Sequence, residues 1–135
     1  MKPVVLYFSR TGNTQRFAEA IAQQANAPAF SIASSEPSVV EAYDMIILGT
    51  PVEGASPAKE TRAFVDRLPQ AQGKKAIVFC THRIFGNERT MKALEKTLAQ
   101  KGYETVLKVS KKMKKPGEPA DFSEALSEVK KVLQS

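Results

Sequence analysis

The chain has little from which to build a covalent or metal framework. Its one cysteine, Cys80, has no partner for an internal disulfide, which suits a reducing cytoplasm. One histidine and one cysteine exclude a zinc site of the common Cys/His type. Long hydrophobic runs are also missing. Val4-Val5-Leu6-Tyr7-Phe8 and Met45-Ile46-Ile47-Leu48 are the longest useful stretches, far below the ~20 residues of a membrane helix, so no membrane contact is expected. The first of them, closed by Ser9-Arg10, is also too short for the apolar region of a secretory signal. There are no internal repeats and no break in composition, so residues 1–135 are expected to form a single domain. With 42% hydrophobic and 25% charged residues, disorder is excluded.

The net charge of +6 is unevenly spread. Residues 1–70 carry six Lys/Arg and seven Asp/Glu, a balance of −1, whereas residues 71–135 carry fourteen and seven, a balance of +7. The densest part is Lys108, Lys111, Lys112, Lys114 and Lys115, with no acid among them. Such a run either attracts an acidic protein, a nucleic acid or an anionic surface, or is a solvated basic loop.

Apolar spacing alternates between strand and helix along the whole chain. Pro3 to Phe8 is a continuous β-branched and aromatic run, as in a strand covered on both faces. Helical spacing follows over Asn13 to Ala25. A weaker strand spans Ala27 to Ile32, a short helix Glu36 to Ala42, and a buried strand Asp44 to Gly49. Residues 50–57 read as a loop, and a helix runs from Pro57 or Ala58 to Leu68. Lys74 to Cys80 is a fourth strand, Thr81 to Asn87 a second loop, and Glu88 to Lys101 a helix closed by Gly102. Tyr103 to Val109 is a fifth strand, Lys111 to Ala120 a loop, and Phe122 to Leu133 a last helix capped by Asp121 or Ser123. Five strands alternating with five helices predict an α/β, doubly wound three-layer sandwich with a five-stranded parallel sheet of order 2-1-3-4-5. Ligands of such sheets bind beyond the carboxyl ends of the strands, at the switch point beside the first strand. Chemistry is therefore expected near Ser9, Thr50 and Thr81.

Ser9-Arg10-Thr11-Gly12-Asn13-Thr14 stands at that first strand-to-helix junction. The hydroxyls of Ser9, Thr11 and Thr14 and the amide of Asn13 can donate to phosphate oxygens. Gly12 permits a tight turn, and the first N–H groups of the helix favour an anion. A simple helix cap needs only one of these polar residues. The loop lacks the Gly-Lys-Ser/Thr ending of triphosphate loops and the Gly-x-Gly-x-x-Gly of dinucleotide folds. No Ser-His-Asp or Cys-His pairing is evident, and a phosphorylation-receiver domain is excluded because Phe8-Ser9 and Gly49-Thr50 stand where it needs acids.

Val-Val-Leu-Tyr-Phe followed by Ser-Arg-Thr-Gly-Asn-Thr resembles the FMN phosphate loop of flavodoxins, a family that itself exemplifies the 2-1-3-4-5 order with FMN at the switch point. The resemblance continues through Tyr43 to Val52, Phe64 to Leu68, Gly73 to Ala76 and the fourth strand, covering nearly the whole chain at the length of the short-chain form. It implies FMN as cofactor, with Ser9, Arg10, Thr11, Gly12, Asn13 and Thr14 around the phosphate. Thr50, Pro51, Val52, Glu53 and Gly54, with Thr81, His82, Arg83, Phe85, Gly86 and Asn87, would surround the ring. Glu53 stands where flavodoxins often have Trp or Met, a departure that removes a stacking partner. Gly54 matches the position where a peptide flips toward the flavin N5. Phe85 is the expected stacking ring, and backbone groups of Thr81 to Asn87 would meet the pyrimidine edge. His82 is expected to titrate near neutral pH and couple protonation to flavin reduction. Arg83 would stabilise the anionic reduced flavin.

The implied activity is electron transfer between redox partner proteins. Flavodoxins are usually acidic and meet basic docking faces; the +7 half predicts an acidic docking face on the partner and a less reducing flavin. Nucleic acid is not an expected partner. Two other readings stay open. One is a small FMN-dependent NAD(P)H or quinone-type reductase, favoured by Glu53, His82 and Arg83. The other is a flavin-free relative serving as a binding module through residues 108–115.

Overall fold

The computed structural model describes residues 2–115 and 118–134. Part of the loop expected over 111–120, residues 116–117, lies outside them. Five strands form the main parallel sheet: β1 (Pro3–Tyr7), β2 (Ala29–Ser31), β3 (Met45–Glu53), β5 (Lys74–His82) and β6 (Tyr103–Lys112). They lie in the order β2-β1-β3-β5-β6, and a two-residue β4 (Ser56–Pro57) pairs antiparallel with β3. With β4 set aside, this is the expected 2-1-3-4-5 order. The α-helices among the described residues are α1 (Asn13–Ala25), α2 (Lys59–Asp66), α3 (Asn87–Gln100) and α4 (Ser123–Gln134).

Both faces of the sheet are apolar because adjacent strand residues point to opposite sides and both are buried. Val4, Leu6, Ile46, Leu48, Val78 and Cys80 pack with Phe64 and Val65 of α2 and Leu94 and Leu98 of α3. Val5, Tyr7, Ile47, Ile77 and Phe79 pack with Phe17 and Ile21 of α1 and Val129 of α4. Full burial of such side chains stabilises the fold by about 1.5–3 kcal/mol each. Phe17 anchors the second layer, with its ring edge-on to Phe79 at 5.2 Å and stacked on Phe122 at 4.9 Å. Gly49 makes room for that arrangement: a Cβ there would come within 2.1 Å of the Phe79 ring.

Three expected elements differ. The helix expected over Glu36 to Ala42 is a 3-10 segment, Pro37–Ala42. Six residues with β-branched Val39 and Val40 are too few to repay α-helix nucleation. The loop expected at 50–57 is instead a continuation of β3, which turns back through Gly54-Ala55 into β4, pairing Glu53 with Ser56 and Val52 with Pro57. Both turn residues have φ near +60°, the left-handed setting of a two-residue hairpin.

The last strand also runs three residues past Val109, to Lys112. A bulge explains why its pattern reads poorly. Ala76 pairs with Thr105 but Ile77 with Leu107, leaving Val106 as an extra residue. Odd-numbered Tyr103 therefore packs in the layer of α2 and α3, while odd-numbered Val109 packs in the layer of α1 and α4. A one-residue offset exchanges the two faces of a strand.

Candidate functional site

β1, β3 and β5 end at one edge of the sheet, and the segments after them enclose an open cleft of about 620 Å³. It lies where doubly wound sheets bind ligands, beyond the carboxyl ends at the reversal of strand order.

The first wall is the loop between β1 and α1. Ser9 Oγ accepts hydrogen bonds from the N–H groups of Gly12 and Gln15, each at 3.1 Å, and so curls the loop. Gly12 caps α1 with φ 98°, and a Cβ on it would meet nothing within 4 Å. Glycine is required there by the backbone angle and not by space. The Arg16 N–H closes the first helical turn on the Gly12 carbonyl. The N–H groups of Asn13 and Thr14 have no partner among the described residues. They stand as donors at the positive end of the helix dipole. Arg16 Nη2 donates to Asn13 Oδ1 at 2.9 Å, which leaves the Asn13 amide N–H groups as further donors. Thr11 and Asn13 line the cleft.

The second wall comes from the β3–β4 hairpin and the third from the segment after β5. Pro51, Val52, Glu53 and Gly54 line the cleft from one side, and Thr81, His82, Arg83 and Phe85 from the other. The two walls touch: a Cβ on Gly86 would come within 2.7 Å of Ala55 Cα. Gly86, at φ 96°, also caps α3. Phe85 is 72% exposed and Ile84 79%, so Phe85 is presented to the cleft and not to the core. His82 Nδ1 is buried without a partner. Burial and the nearby Lys112 push the His82 imidazole below its ordinary value, so it is neutral at pH 7 and titrates lower than the sequence led us to expect.

Several expected site residues face elsewhere. Thr50 is fully buried. Its hydroxyl accepts from the Ala58 N–H at 3.1 Å and the Thr61 hydroxyl at 3.0 Å, and donates to the Pro51 carbonyl. It therefore fastens β3 to the start of α2. Thr14 points inward as well; its hydroxyl lies 2.8 Å from that of Thr81 in a buried pair. Asn87 donates from Nδ2 to Ser110 Oγ at 3.1 Å, tying α3 to β6. Ser9, Gly12 and Gly86 shape the walls without lining the cleft.

Arg10 crosses the cleft mouth. Its Nε and Nη2 donate to Glu53 at 2.6 and 3.0 Å, and its Nη1 and Nη2 donate to Glu60 at 3.3 and 3.0 Å. The guanidinium also lies over the Phe8 ring, 4.9 Å from its centre. The Arg10 pairing holds the Glu60 carboxyl below the usual carboxylate range.

Four lining residues were not foreseen: Ala55, Ile84, Met113 and Lys114. An isoleucine inside a polar loop was a readable cue for Ile84. Met113 and Lys114 follow the extension of β6 that the bulge obscures; the Met113 N–H is fixed to the His82 carbonyl at 2.8 Å.

A family model described as a flavodoxin domain matches residues 4–115. An uncharacterized protein of Methanocaldococcus jannaschii is 32% identical over 106 residues, 77% of this chain and 70% of that one. The fold is similar to that of a flavodoxin from Streptococcus pneumonia TIGR4, with TM-score 0.79 at 16% identity over 99% of this chain and 96% of that one. It is equally similar to the two-electron reduced flavodoxin of Megasphaera elsdenii, with TM-score 0.79 at 21% identity over 98% and 99%. Among the described residues no helix is long and apolar enough to cross a membrane.

Proposed function

Because the chain belongs to the flavodoxin family, we propose that it binds FMN in the cleft at the carboxyl ends of β1, β3 and β5 and carries electrons between redox partner proteins. The observation that carries this reading is a set of unpartnered donors at the start of α1 beside a cleft with an exposed aromatic wall. Asn13 and Thr14 N–H groups, the Asn13 amide and the Thr11 hydroxyl suit a phosphate, which binds readily where a helix begins. The cleft of about 620 Å³ falls within the range of small-molecule sites, and Phe85 offers a face for a planar ring.

FMN supplies redox chemistry in single-electron steps, and the protein binds, orients and tunes it. Thr11 and Asn13 would hold the phosphate, and the Gly54-Ala55 turn and Phe85 would flank the ring. His82, on the cleft wall, would couple a proton to reduction of the cofactor. Arg83 and Lys114 on the cleft wall would favour added negative charge on a cofactor held there. A redox partner with an acidic face would dock on the cleft wall that carries Arg83, exposed Ile84 and Lys114. Charge complementarity of this kind speeds a weak encounter, and association rates that fall steeply with salt are expected. A reducing cytoplasm suits the single buried thiol of Cys80.

Titrating the purified protein with FMN tests the reading: quenched flavin fluorescence and a shifted visible spectrum are expected, and a null titration defeats it. A second reading, an FMN-dependent reductase, is favoured by the neutral His82 in the cleft. Steady-state consumption of NAD(P)H with a quinone decides between the two.

A further inference from the structure

We propose that Arg10 opens the phosphate loop to an anion by neutralising Glu53 and Glu60, as a positioning residue that does not itself hold the phosphate. The inference rests on the FMN reading above. Arg10 belongs to the loop that carries the phosphate donors, yet its guanidinium turns away from that task. Both edges of the planar fork are engaged, one by Glu53 and the other by Glu60, in four donor contacts of 2.6–3.3 Å. Its face is occupied by the Phe8 ring. A direct phosphate contact would have to break a doubly bidentate arrangement of the geometry guanidinium groups favour most.

The charges explain why such a bracket is needed. Glu53 lines the same cleft as Thr11 and Asn13, so a bare carboxylate there would repel a phosphate dianion. Glu60 adds a second negative charge behind it. The guanidinium lowers the charge of this group from −2 to −1 and orients both carboxylates toward itself. Glu53 is therefore compatible with an anion site because Arg10 accompanies it. Removing Arg10 alone exposes two carboxylates; removing all three charges removes the obstacle as well.

The test compares dissociation constants for FMN and for riboflavin, which lacks the phosphate, by flavin fluorescence quenching at low salt. The variants are R10A, R10K, E53Q/E60Q and R10A/E53Q/E60Q. R10A is expected to weaken FMN binding about tenfold or more while moving riboflavin less than about threefold. R10K, which keeps the charge, and the triple variant should both bind FMN within about threefold of the wild type. E53Q/E60Q should bind FMN at least as tightly as the wild type. A triple variant as weak as R10A overturns the inference, because the guanidinium would then be a phosphate ligand or a brace in its own right. Equal loss of FMN and riboflavin in R10A, or no loss of either, overturns it too. If the wild type binds neither flavin, the FMN reading fails and this inference falls with it; if the wild type binds and only the order of variants is wrong, the inference alone fails.

Discussion

Buried threonines hold the floor of the cleft. Thr14 and Thr81 share a 2.8 Å hydroxyl contact, and Thr50 joins Thr61, Ala58 and Pro51. An unpaired buried hydroxyl costs about 1–3 kcal/mol, so these side chains are held by one another before any ligand arrives. The sequence revealed a hydroxyl-rich junction but not which hydroxyls turn inward, because Thr14 and Thr81 lie 67 residues apart and only the sheet register brings them together. Cys80, the last residue of the fourth strand read from the sequence, is buried in the apolar layer of α2 and α3. Burial pushes that thiol up to about 12. Alkylation at pH 8 should therefore be negligible in the native protein and rapid in denaturant; fast native labelling would contradict the packing. His82 carries a pH dependence of defined sign. Its folded value lies below the ordinary 6.5, so the unfolded chain takes up a proton that the folded imidazole resists. Stability is then lost as pH falls from about 6.5 toward the folded value. Denaturant melts between pH 7.5 and 5 should show this loss in the wild type and a smaller one in His82→Asn.

At the scale of elements, the buried strands were readable because β1, β3 and β5 are apolar on both faces. What escaped was any feature that depends on pairing. The β3–β4 hairpin lacks an Asn-Gly or Asp-Gly signal and turns on Gly54-Ala55 with both residues left-handed. The bulge in β6 was invisible for a related reason: Thr105 and Leu107 lie two residues apart, and only their partners Ala76 and Ile77 reveal the extra residue between them. Close packing between elements gives a direct test. Gly49→Ala drives a methyl into the Phe79 ring and should cost about 1–3 kcal/mol of stability by overpacking, read as a lower urea midpoint with an unchanged slope. A fully neutral effect would mean that Phe79 does not lie across β3.

For the whole molecule, charge departs from the pattern the resemblance sets. The basic run is not uniform in space. Lys108 pairs with Glu95 at 2.7 Å, and the hydrogen bond from Ser123, helped by Lys111, lowers the Asp121 carboxyl. Lys112 stands beside His82, and Lys114 reaches the cleft. Sequence arithmetic located the excess in the second half of the chain, but its focus on the cleft wall follows from the strand that delivers it. With cations there and both Glu53 and Glu60 paired with Arg10, adding a second electron to a flavin bound as proposed should be easier than in an acidic flavodoxin. A redox titration should place that step at a less negative potential, and raising the salt concentration should narrow the difference.

Val106, the extra residue of β6, keeps this field sorted by standing outside the ladder. Thr105 and Leu107 already pair with the consecutive Ala76 and Ile77, so deleting Val106 would leave every later residue on its present side, Lys108 toward α3 and Leu107 and Val109 beneath α1 and α4. Drawn into the ladder opposite Ile77, Val106 would instead push each following residue one place along and turn Lys108 toward the apolar layer. One bulged position thus absorbs a slip that would otherwise exchange the wet and dry sides of the strand.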